Sequence, residues 1–123
     1  MNMQTTTTPR TLSSGTLTGT SAVNRQNEKI GKIEELMLDL NSGRVAYAVL
    51  SFGGIFGIGD KLFAIPWEMI EVDTTNHQVV IDISKDKLKN APGFDKNNWP
   101  DTANPAWLTE VYDYYGYPPY WIR

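Results

Sequence analysis

The stretch GKIEELMLDLNSGRVAYAVLSFGGIFGIGDKLFAIPWEMI, residues 31–70, holds the densest apolar patterning of the chain. Three segments within it are rich in leucine, β-branched and aromatic residues, and two clusters of turn-forming residues separate them. Segments of this kind, joined by short turns, predict consecutive antiparallel strands. The stretch therefore indicates that the fold is built on a β-sheet.

The first of these segments, residues 32–40, has large apolar residues that do not share one parity: Ile33, Leu36, Leu38 and Leu40. A single β-bulge at residues 34–35 would bring all four onto one face and would bend the strand, as a small barrel requires. Asn41-Ser42-Gly43 follows, and it predicts a hairpin turn in which glycine takes positive φ without steric cost. Asp39, directly before the turn, is expected to accept hydrogen bonds from the turn amides.

The second segment, residues 44–52, is apolar on both faces. One face carries Val45, Tyr47 and Val49, and the other carries Ala46, Ala48, Leu50 and Phe52. A strand with one solvated face would alternate with polar residues instead. We therefore expect this strand to be central, with its second face covered either by the C-terminal segment or by another subunit.

Glycine is frequent in the loop that follows, at Gly53, Gly54, Gly57 and Gly59. A phosphate-binding loop leads into a helix, whereas Gly59-Asp60-Lys61 leads into a strand, and the spacing does not fit a dinucleotide-binding turn either. We therefore expect a hairpin loop with positive φ at Gly53 or Gly54. The loop also carries apolar residues that are expected to fold onto the barrel mouth or to contact a partner: Ile55, Phe56 and Ile58.

The third segment is short, because Pro66 cannot donate to a sheet ladder and marks a strand end or edge. Trp67 follows with a large apolar area, and we expect it to anchor the core or its rim. Beyond it, apolar residues alternate with acidic ones in residues 69–73 and recur at every second position in residues 79–83. These two segments predict a further pair of strands, joined by a polar turn that contains His77.

Together these residues resemble the PRC-barrel family, which is named after the cytoplasmic domain of the photosynthetic reaction centre H subunit. The resemblance covers roughly residues 17–83 and rests on Gly31-Lys32-Ile33, Asp39, Gly43-Arg44-Val45, Val49-Leu50-Ser51-Phe52-Gly53-Gly54, Gly57-Ile58-Gly59-Asp60-Lys61 and Pro66-Trp67. A similar domain closes a ribosome-maturation factor, and many small stand-alone bacterial and archaeal proteins share it. The resemblance implies a small, partly open β-barrel used for assembly and protein contact, and it implies no shared catalytic residues.

The composition limits the classes of function. A chain of 123 residues is expected to form one domain, large enough to bury a modest core without disulfides, and the chain contains no cysteine. No run approaches the roughly 18 apolar residues of a membrane-spanning helix, and no secretory signal is recognisable, so a cytoplasmic protein is expected. A net charge of −3 lacks the basic footprint of nucleic-acid-binding proteins, so a nucleic-acid partner is not expected.

The flanking segments differ from the centre. Residues 1–14 are threonine-rich and polar, and we expect them to form a disordered arm before a barrel domain of residues 15–84, whose first strand lies within residues 17–23. Ser84 is expected to cap a short helix. Residues 85–123 then form a C-terminal extension, with a helix at about 105–115.

Aromatic residues are concentrated in this extension, because residues 99–123 carry eight of the chain's fourteen. Asn104 and Pro105 predict the start of the helix, and Gly116 predicts its end. The helix is expected to present one apolar stripe: Trp107, Leu108, Val111, Tyr114 and Tyr115. The stripe either packs on its own barrel or meets a partner. The candidate interface residues are Tyr47, Ile55, Phe56, Ile58, Trp107, Val111, Tyr114, Tyr115 and Trp121.

No pair of titratable residues predicts an active site. Six carboxylates in the central region could supply an acid–base pair, but nothing in the sequence selects two of them: Glu34, Glu35, Asp39, Glu68, Glu71 and Asp73. His77 is the only histidine and lies in a polar turn, without the second histidine or cysteine that a metal site would need. We therefore expect no enzymatic activity, no metal and no cofactor.

The sequence thus predicts a mainly β protein, a small partly open antiparallel barrel of five or six strands with a short C-terminal helix and an aromatic-rich tail. The first functional hypothesis is a non-enzymatic assembly or adaptor module that binds an unknown protein partner, with a homodimer as the expected state. The second is a small-ligand or cofactor-binding barrel whose aromatic tail closes the mouth. The third is an RNA- or ribosome-associated module, which the acidic balance disfavours.

Overall fold

The computed structural model describes residues 8–52, 61–101 and 104–122, and seven strands in this part of the chain form one sheet. The strands are β1 (Ser21–Val23), β2 (Lys29–Asp39), β3 (Arg44–Phe52), β4 (Lys61–Pro66), β5 (Ile70–Asp73), β6 (Gln78–Ile81) and β7 (Gly93–Asp95). The helices are α1 (Ser14–Leu17), α2 (Lys85–Lys89) and α3 (Pro105–Tyr115), with short 3-10 turns at Trp67–Met69 and Tyr120–Ile122.

The sheet curls without closing, in the order β5-β6-β1-β2-β3-β4-β7. Within the described ranges, β5 and β7 have no strand on their outer edges, so the predicted mainly β, partly open barrel is confirmed. It has one strand more than expected, because the residues after α2 form β7, in which Phe94 pairs with Leu62 of β4. The β1–β6 pair is parallel rather than antiparallel. Four strands separate the two along the chain, so no hairpin fixes their direction.

Two irregularities interrupt the pairing of β2 with β3. The first lies between Ile33 and Glu35, where the sequence predicts a bulge, and that prediction is confirmed. The second was not predicted: Met37 faces Tyr47 and Leu38 faces Val45, so Ala46 is opposite no residue of β2. The extra residue of this second shift is therefore in β3. Along β2, Ile33 is buried and Leu36 is half-buried, whereas Leu38 and Leu40 at the end of the strand are exposed, so the bulge does not give all four residues the same environment.

Strand β3 is central and buried on both faces, as predicted, with Ala46 to Leu50 all buried. Helix α3 of the same chain covers it. The Tyr112 hydroxyl donates a buried hydrogen bond of 2.7 Å to the Ala46 carbonyl, and the Trp107 ring meets the Tyr47 ring edge-on at 5.7 Å between centroids. Ala46 has no residue opposite it in β2, and its carbonyl thus accepts a hydrogen bond from the tail helix instead.

Two glycines of the family motif are required by backbone geometry. Gly43 ends the β2–β3 hairpin with φ 74°, and its N–H donates to the Asp39 carbonyl at 2.8 Å. Gly31 has φ 130°, and a Cβ there would lie 1.9 Å from the Ser51 carbonyl oxygen. Any side chain at Gly31 would therefore force β2 and β3 apart.

The flanks agree with the predicted caps and with the predicted place of the first strand. Strand β1 (Ser21–Val23) lies within residues 17–23, although Leu17 itself ends a one-turn helix that Ser13 caps. Ser84 accepts from Lys87 N–H at the start of α2, as predicted. Asn104 caps α3, and Gly116 ends it in the left-handed region with φ 79°.

Several predictions fall outside the described residues. They concern the N-terminal residues 1–7 and the glycine-rich loop of residues 53–60, with Gly53, Gly54, Ile55, Phe56, Gly57, Ile58 and Gly59. The positive φ at Gly53 or Gly54 stays a prediction. Residues 8–13 are described, are exposed and form no regular secondary structure.

Candidate protein-binding surface

The end of the β2–β3 hairpin presents two large apolar side chains to solvent. Leu38 is 61% exposed and Leu40 is 91% exposed. The hairpin itself is well fixed: Asp39 Oδ1 accepts from the Asn41 amide at 2.9 Å and from the Ser42 amide at 3.4 Å. Asp39 therefore bonds the turn amides, as the sequence predicts. The exposed leucines stand on a rigid turn.

The C-terminal tail is attached to the same hairpin. The Tyr120 hydroxyl donates a 2.6 Å hydrogen bond to Asp39 Oδ2, across 81 residues of sequence. The Arg44 guanidinium carbon lies 5.1 Å from the centre of the Tyr120 ring, within the range of a cation–π contact. The Trp121 ring meets the buried Tyr112 ring at 5.9 Å. These contacts fix the last described residues beside the hairpin tip.

Together these elements form what we call the hairpin–tail surface, whose exposed apolar side chains are Leu38, Leu40, Trp121 and Ile122. Trp121 is 39% exposed and Ile122 is 69% exposed. A cleft of about 530 Å³ runs between hairpin and tail, and its lining includes Leu38, Leu40, Tyr47, Leu108, Tyr120 and Trp121. The start of α3 borders this cleft through Asn104 and Pro105.

The two charged side chains of the hairpin–tail surface, Asp39 and Arg44, differ in the partners that they have within the chain. The pKa of the Asp39 carboxyl is lowered, first by the hydrogen bond from the Tyr120 hydroxyl and then by the Asn41 amide. Burial and the bond to Asp39 raise the pKa of Tyr120 to about 12, so the phenol stays a neutral donor at ordinary pH. Arg44 is exposed, and within the described ranges no carboxylate lies within 4 Å of its guanidinium.

A second, larger cleft, which we call the β5 cleft, lies between the edge strand β5 and the β2–β3 hairpin. It measures about 1030 Å³. Its apolar lining includes Leu36, Trp67, Ile70 and Val72, and residues 9–12 of the N-terminal segment lie along it. Trp67 is half-buried there, as expected of a residue at the rim of the core.

Two further titratable residues, Asp73 and His77, lie at the turn between β5 and β6. Asp73 accepts from the Thr75 and Asn76 amides at 3.1 Å each, and hydrogen bonds led by the Asn76 side chain lower its pKa. His77 is exposed in that turn with φ 54°. Among the described residues, no three His, Cys, Asp or Glu side chains are grouped as metal ligands would be. None of the helices described has the length and apolar character to cross a membrane.

Two buried tyrosine hydroxyls lack the hydrogen bonds that Tyr112 and Tyr120 make. The Tyr47 and Tyr115 hydroxyls are buried without a hydrogen-bond partner in the described ranges. Burial raises the pKa of Tyr47 to about 12 and raises that of Tyr115 further. Both phenols therefore stay neutral well above the ordinary tyrosine range.

Most of the predicted interface residues are covered by their own chain. Tyr47, Val111 and Tyr115 are buried, so they offer almost no area to a partner. Trp107 and Tyr114 are half-buried in the same packing, which confirms the interpretation that the stripe lies on its own barrel. Of the predicted interface residues that the structure describes, Trp121 alone is exposed. The described residues of this set are covered because α3 packs on the second face of β3.

Sequence reasoning missed the leucines that carry the surface. Leu38 and Leu40 were expected on the same face of the strand as Ile33 and Leu36, and they were not among the candidate interface residues. A local signal was available for Leu40, which directly precedes the turn residue Asn41 and lies beyond the end of β2. The link from Tyr120 to Asp39 had no local signal.

Comparison with known proteins gives a family. No curated protein matches the sequence. One of the matching solved structures is the proposed 16S ribosomal RNA processing protein RimM from Pseudomonas aeruginosa, with 16% sequence identity and a TM-score of 0.43. The likeness covers 61% of this chain and 45% of that one, so this chain spans less than half of that structure. The family model of the PRC-barrel domain matches residues 10–88, well over half of the sequence. The chain therefore belongs to the PRC-barrel domain family.

Proposed function

We propose that this PRC-barrel protein is a non-enzymatic assembly module that binds another protein through its hairpin–tail surface. The observation that carries the proposal is the exposure of Leu38 and Leu40 on a hairpin whose backbone is held in place. A fixed apolar cluster of this kind, with Trp121 and Ile122 beside it, is typical of interaction sites.

The rigidity of this surface favours binding. Association costs free energy for every side chain and loop that must become ordered in the complex. Here the turn amides are bonded to Asp39, and the tail is held through Tyr120. The leucines and Trp121 are therefore presented before a partner arrives, and aromatic anchors at the centre of an interface contribute disproportionately to affinity.

The absence of catalysis is part of the proposal. Hydrogen bonds from nearby side chains and turn amides lower the pKa of two carboxyls in the described part of the chain, Asp39 and Asp73. A general acid or base would need its pKa moved toward neutrality instead. The shifts that the structure gives thus support turn-forming roles for these two residues.

The proposal is tested by affinity capture from the native cell with three bait proteins. The baits are the wild type, the double variant Leu38→Ser/Leu40→Ser, and the control Leu12→Ser, which removes an exposed leucine outside the hairpin–tail surface. We expect one set of proteins on the wild-type and control baits and its loss from the double variant, measured by quantitative mass spectrometry. Equal capture by all three baits would contradict the proposed surface.

A homodimer is the finer form of the proposal that the sequence suggested. The tail stripe is covered within the chain, so less apolar area remains to require a second subunit than the sequence indicated. Light scattering of the wild type at tens of micromolar decides the question. A dimer that the double variant loses would assign the hairpin–tail surface to a second copy.

A small-ligand role is the second candidate, and the β5 cleft favours it. A volume of about 1030 Å³ is at the upper end of the range of ligand pockets, and Trp67 and Ile70 give it an apolar wall. Native mass spectrometry of protein purified from its own cell should then show a bound small molecule. Release of that molecule by Trp67→Ala, with the fold retained, would place it in this cleft.

A further inference from the structure

We infer that the partner of the hairpin–tail surface is an acidic amphipathic segment, one that presents a carboxylate next to large apolar side chains. The inference rests on the proposed function and names the chemistry of its partner. It starts from Arg44, the cation at the base of the hairpin. Its guanidinium is exposed, and no carboxylate of the described ranges lies within 4 Å of it.

The acid of the same hairpin is already engaged. Asp39 is the cross-strand neighbour of Arg44, yet its Oδ2 accepts from the Tyr120 hydroxyl and its Oδ1 accepts from two turn amides. Three donors thus stabilise this carboxylate without Arg44. Asp39 keeps its negative charge, but its oxygens are occupied by these donors, so the charged group that remains free to bond a partner on the described part of this surface is the Arg44 guanidinium.

Arg44 is held in place for such a partner. The Tyr120 ring lies 5.1 Å from its guanidinium carbon, and the same tyrosine is anchored through its hydroxyl. A guanidinium resting on an aromatic ring keeps N–H groups for a carboxylate, which it binds in a two-point geometry. Ordering of the arginine side chain therefore costs little when the pair forms.

The apolar part of the partner follows from the cleft. A cleft of about 530 Å³ borders the exposed Leu38, Leu40 and Trp121 and lies within the range of sites that take bulky apolar groups. These side chains and Arg44 belong to one hairpin and its attached tail. A partner that fills the cleft therefore also brings its flanking residues close to Arg44.

A second copy of this chain fits the charge less well. A two-fold interface joins the same patch on both copies, so the carboxylate of the described patch that a second copy would offer to Arg44 is Asp39. Both oxygens of Asp39 already accept hydrogen bonds, from the Tyr120 hydroxyl and from the turn amides. A separate carboxylate from a different protein meets the requirement directly.

The inference is tested by selecting phage-displayed random dodecapeptides on immobilised full-length protein. We expect the wild type to enrich peptides with Asp or Glu beside Leu, Ile, Phe or Trp. On Arg44→Glu these peptides should be lost in favour of peptides with Lys or Arg. For fluorescein-labelled peptides from the wild-type selection, Arg44→Glu should weaken binding about tenfold or more, as expected for a lost charge-assisted hydrogen bond, and added salt should weaken it as well.

Lys87→Glu is the matched control. Lys87 is an exposed cation 4.9 Å from the centre of the Tyr114 ring, so the change reverses a similar cation–π pair on a different part of the molecule. Affinity for the enriched peptides should stay at the wild-type value in this variant. Circular dichroism of every variant must match the wild type, so that lost binding is not lost folding.

Each remaining outcome decides a different point. Enriched peptides without an acidic excess, or with affinity unchanged by Arg44→Glu, would overturn the inference and leave the proposed function standing. Failure of the wild type to enrich any peptide would overturn the inference too. Peptides that bind Leu38→Ser/Leu40→Ser as well as the wild type would sink the proposed surface itself. A dimer lost in that double variant would make a second copy the occupant and overturn the acidic segment.

Discussion

The two ends of β2 carry similar apolar residues and have opposite fates. At the first end Ile30 and Ile33 are fully buried, and Gly31 lies directly against the Ser51 carbonyl. At the second end Leu38 is exposed, and Leu40 just beyond it is more exposed still. Leucine and isoleucine differ little in hydrophobicity, so position along the strand, and not residue type, decides which of them the barrel buries.

The two ends of β2 therefore contribute differently to stability. Full burial of a leucine or isoleucine contributes about 1.5–3 kcal/mol relative to exposure, so the first end contributes to stability and the second end forgoes it. The second register shift lies near the second end, and there the Ala46 carbonyl accepts a hydrogen bond from Tyr112 of the tail helix. The tail thus helps to hold the exposed leucines where a partner can reach them.

The largest effect is expected at the packed end, with Gly31→Ala. The new Cβ would lie 1.9 Å from the Ser51 oxygen at φ 130°, so strain of about 1–3 kcal/mol adds to overpacking of similar size. Urea unfolding should show a loss of several kcal/mol. Gly43→Ala is the matched control, since its φ is 74° with no atom within 4 Å, and it should cost about 1 kcal/mol. Equal losses would contradict the role of close packing at this end.

Tyr112→Phe should destabilise next most. The change leaves the buried Ala46 carbonyl without its donor, which costs about 1–3 kcal/mol. Tyr47→Phe removes a buried hydroxyl that has no partner in the described ranges, so it should be neutral or stabilising. Chemical denaturation compares the two variants, and hydrogen exchange in Tyr112→Phe should rise first around residues 37–46. A Tyr47→Phe loss as large as that of Tyr112→Phe would show that both phenols are equally bonded.

The packed part of the fold could be predicted from local signals. The hairpin glycine at Gly43, the caps Ser84 and Asn104, and the left-handed Gly116 each depend on neighbours within a few residues. The apolar residues on both faces of residues 44–52 likewise predicted a central strand. The family resemblance rested on the same central stretch and is confirmed by the match to residues 10–88.

The candidate surface could not be predicted in the same way. Its geometry depends on a hydrogen bond that joins residues 66 positions apart and on another that joins residues 81 positions apart. Parity alone put Leu38 on one face with Ile33 and Leu36, and nothing near Ala46 in the sequence indicates the second register shift. Asp39 and Trp121 were identified, but the contact that brings the tail to the hairpin runs through Tyr120. Long-range polar contacts of this kind leave no periodic trace in a sequence.

A smaller effect is expected where the tail meets the exposed end, and it depends on pH. The folded-state pKa of Asp39 is depressed, so its contribution to stability is present above the ordinary carboxyl range and is lost as the pH falls through the folded pKa. The tail should therefore loosen below a pH of about 4. Carboxypeptidase digestion across this range measures the loosening. Tyr120→Phe should show it already at neutral pH, whereas Tyr117→Phe should behave like the wild type.

The smallest change in stability is expected at the exposed end, with Leu40→Ala. A side chain that is 91% exposed loses little burial on truncation, so unfolding should shift by less than about 0.5 kcal/mol. Ile33→Ala, at the buried end of the same strand, should cost about 2–5 kcal/mol. The order is expected to reverse for binding, where Leu40→Ala weakens capture of a partner by the folded protein. A loss above about 1 kcal/mol for Leu40→Ala in urea unfolding would show that Leu40 packs within its own chain, and the contrast between the two ends would fail.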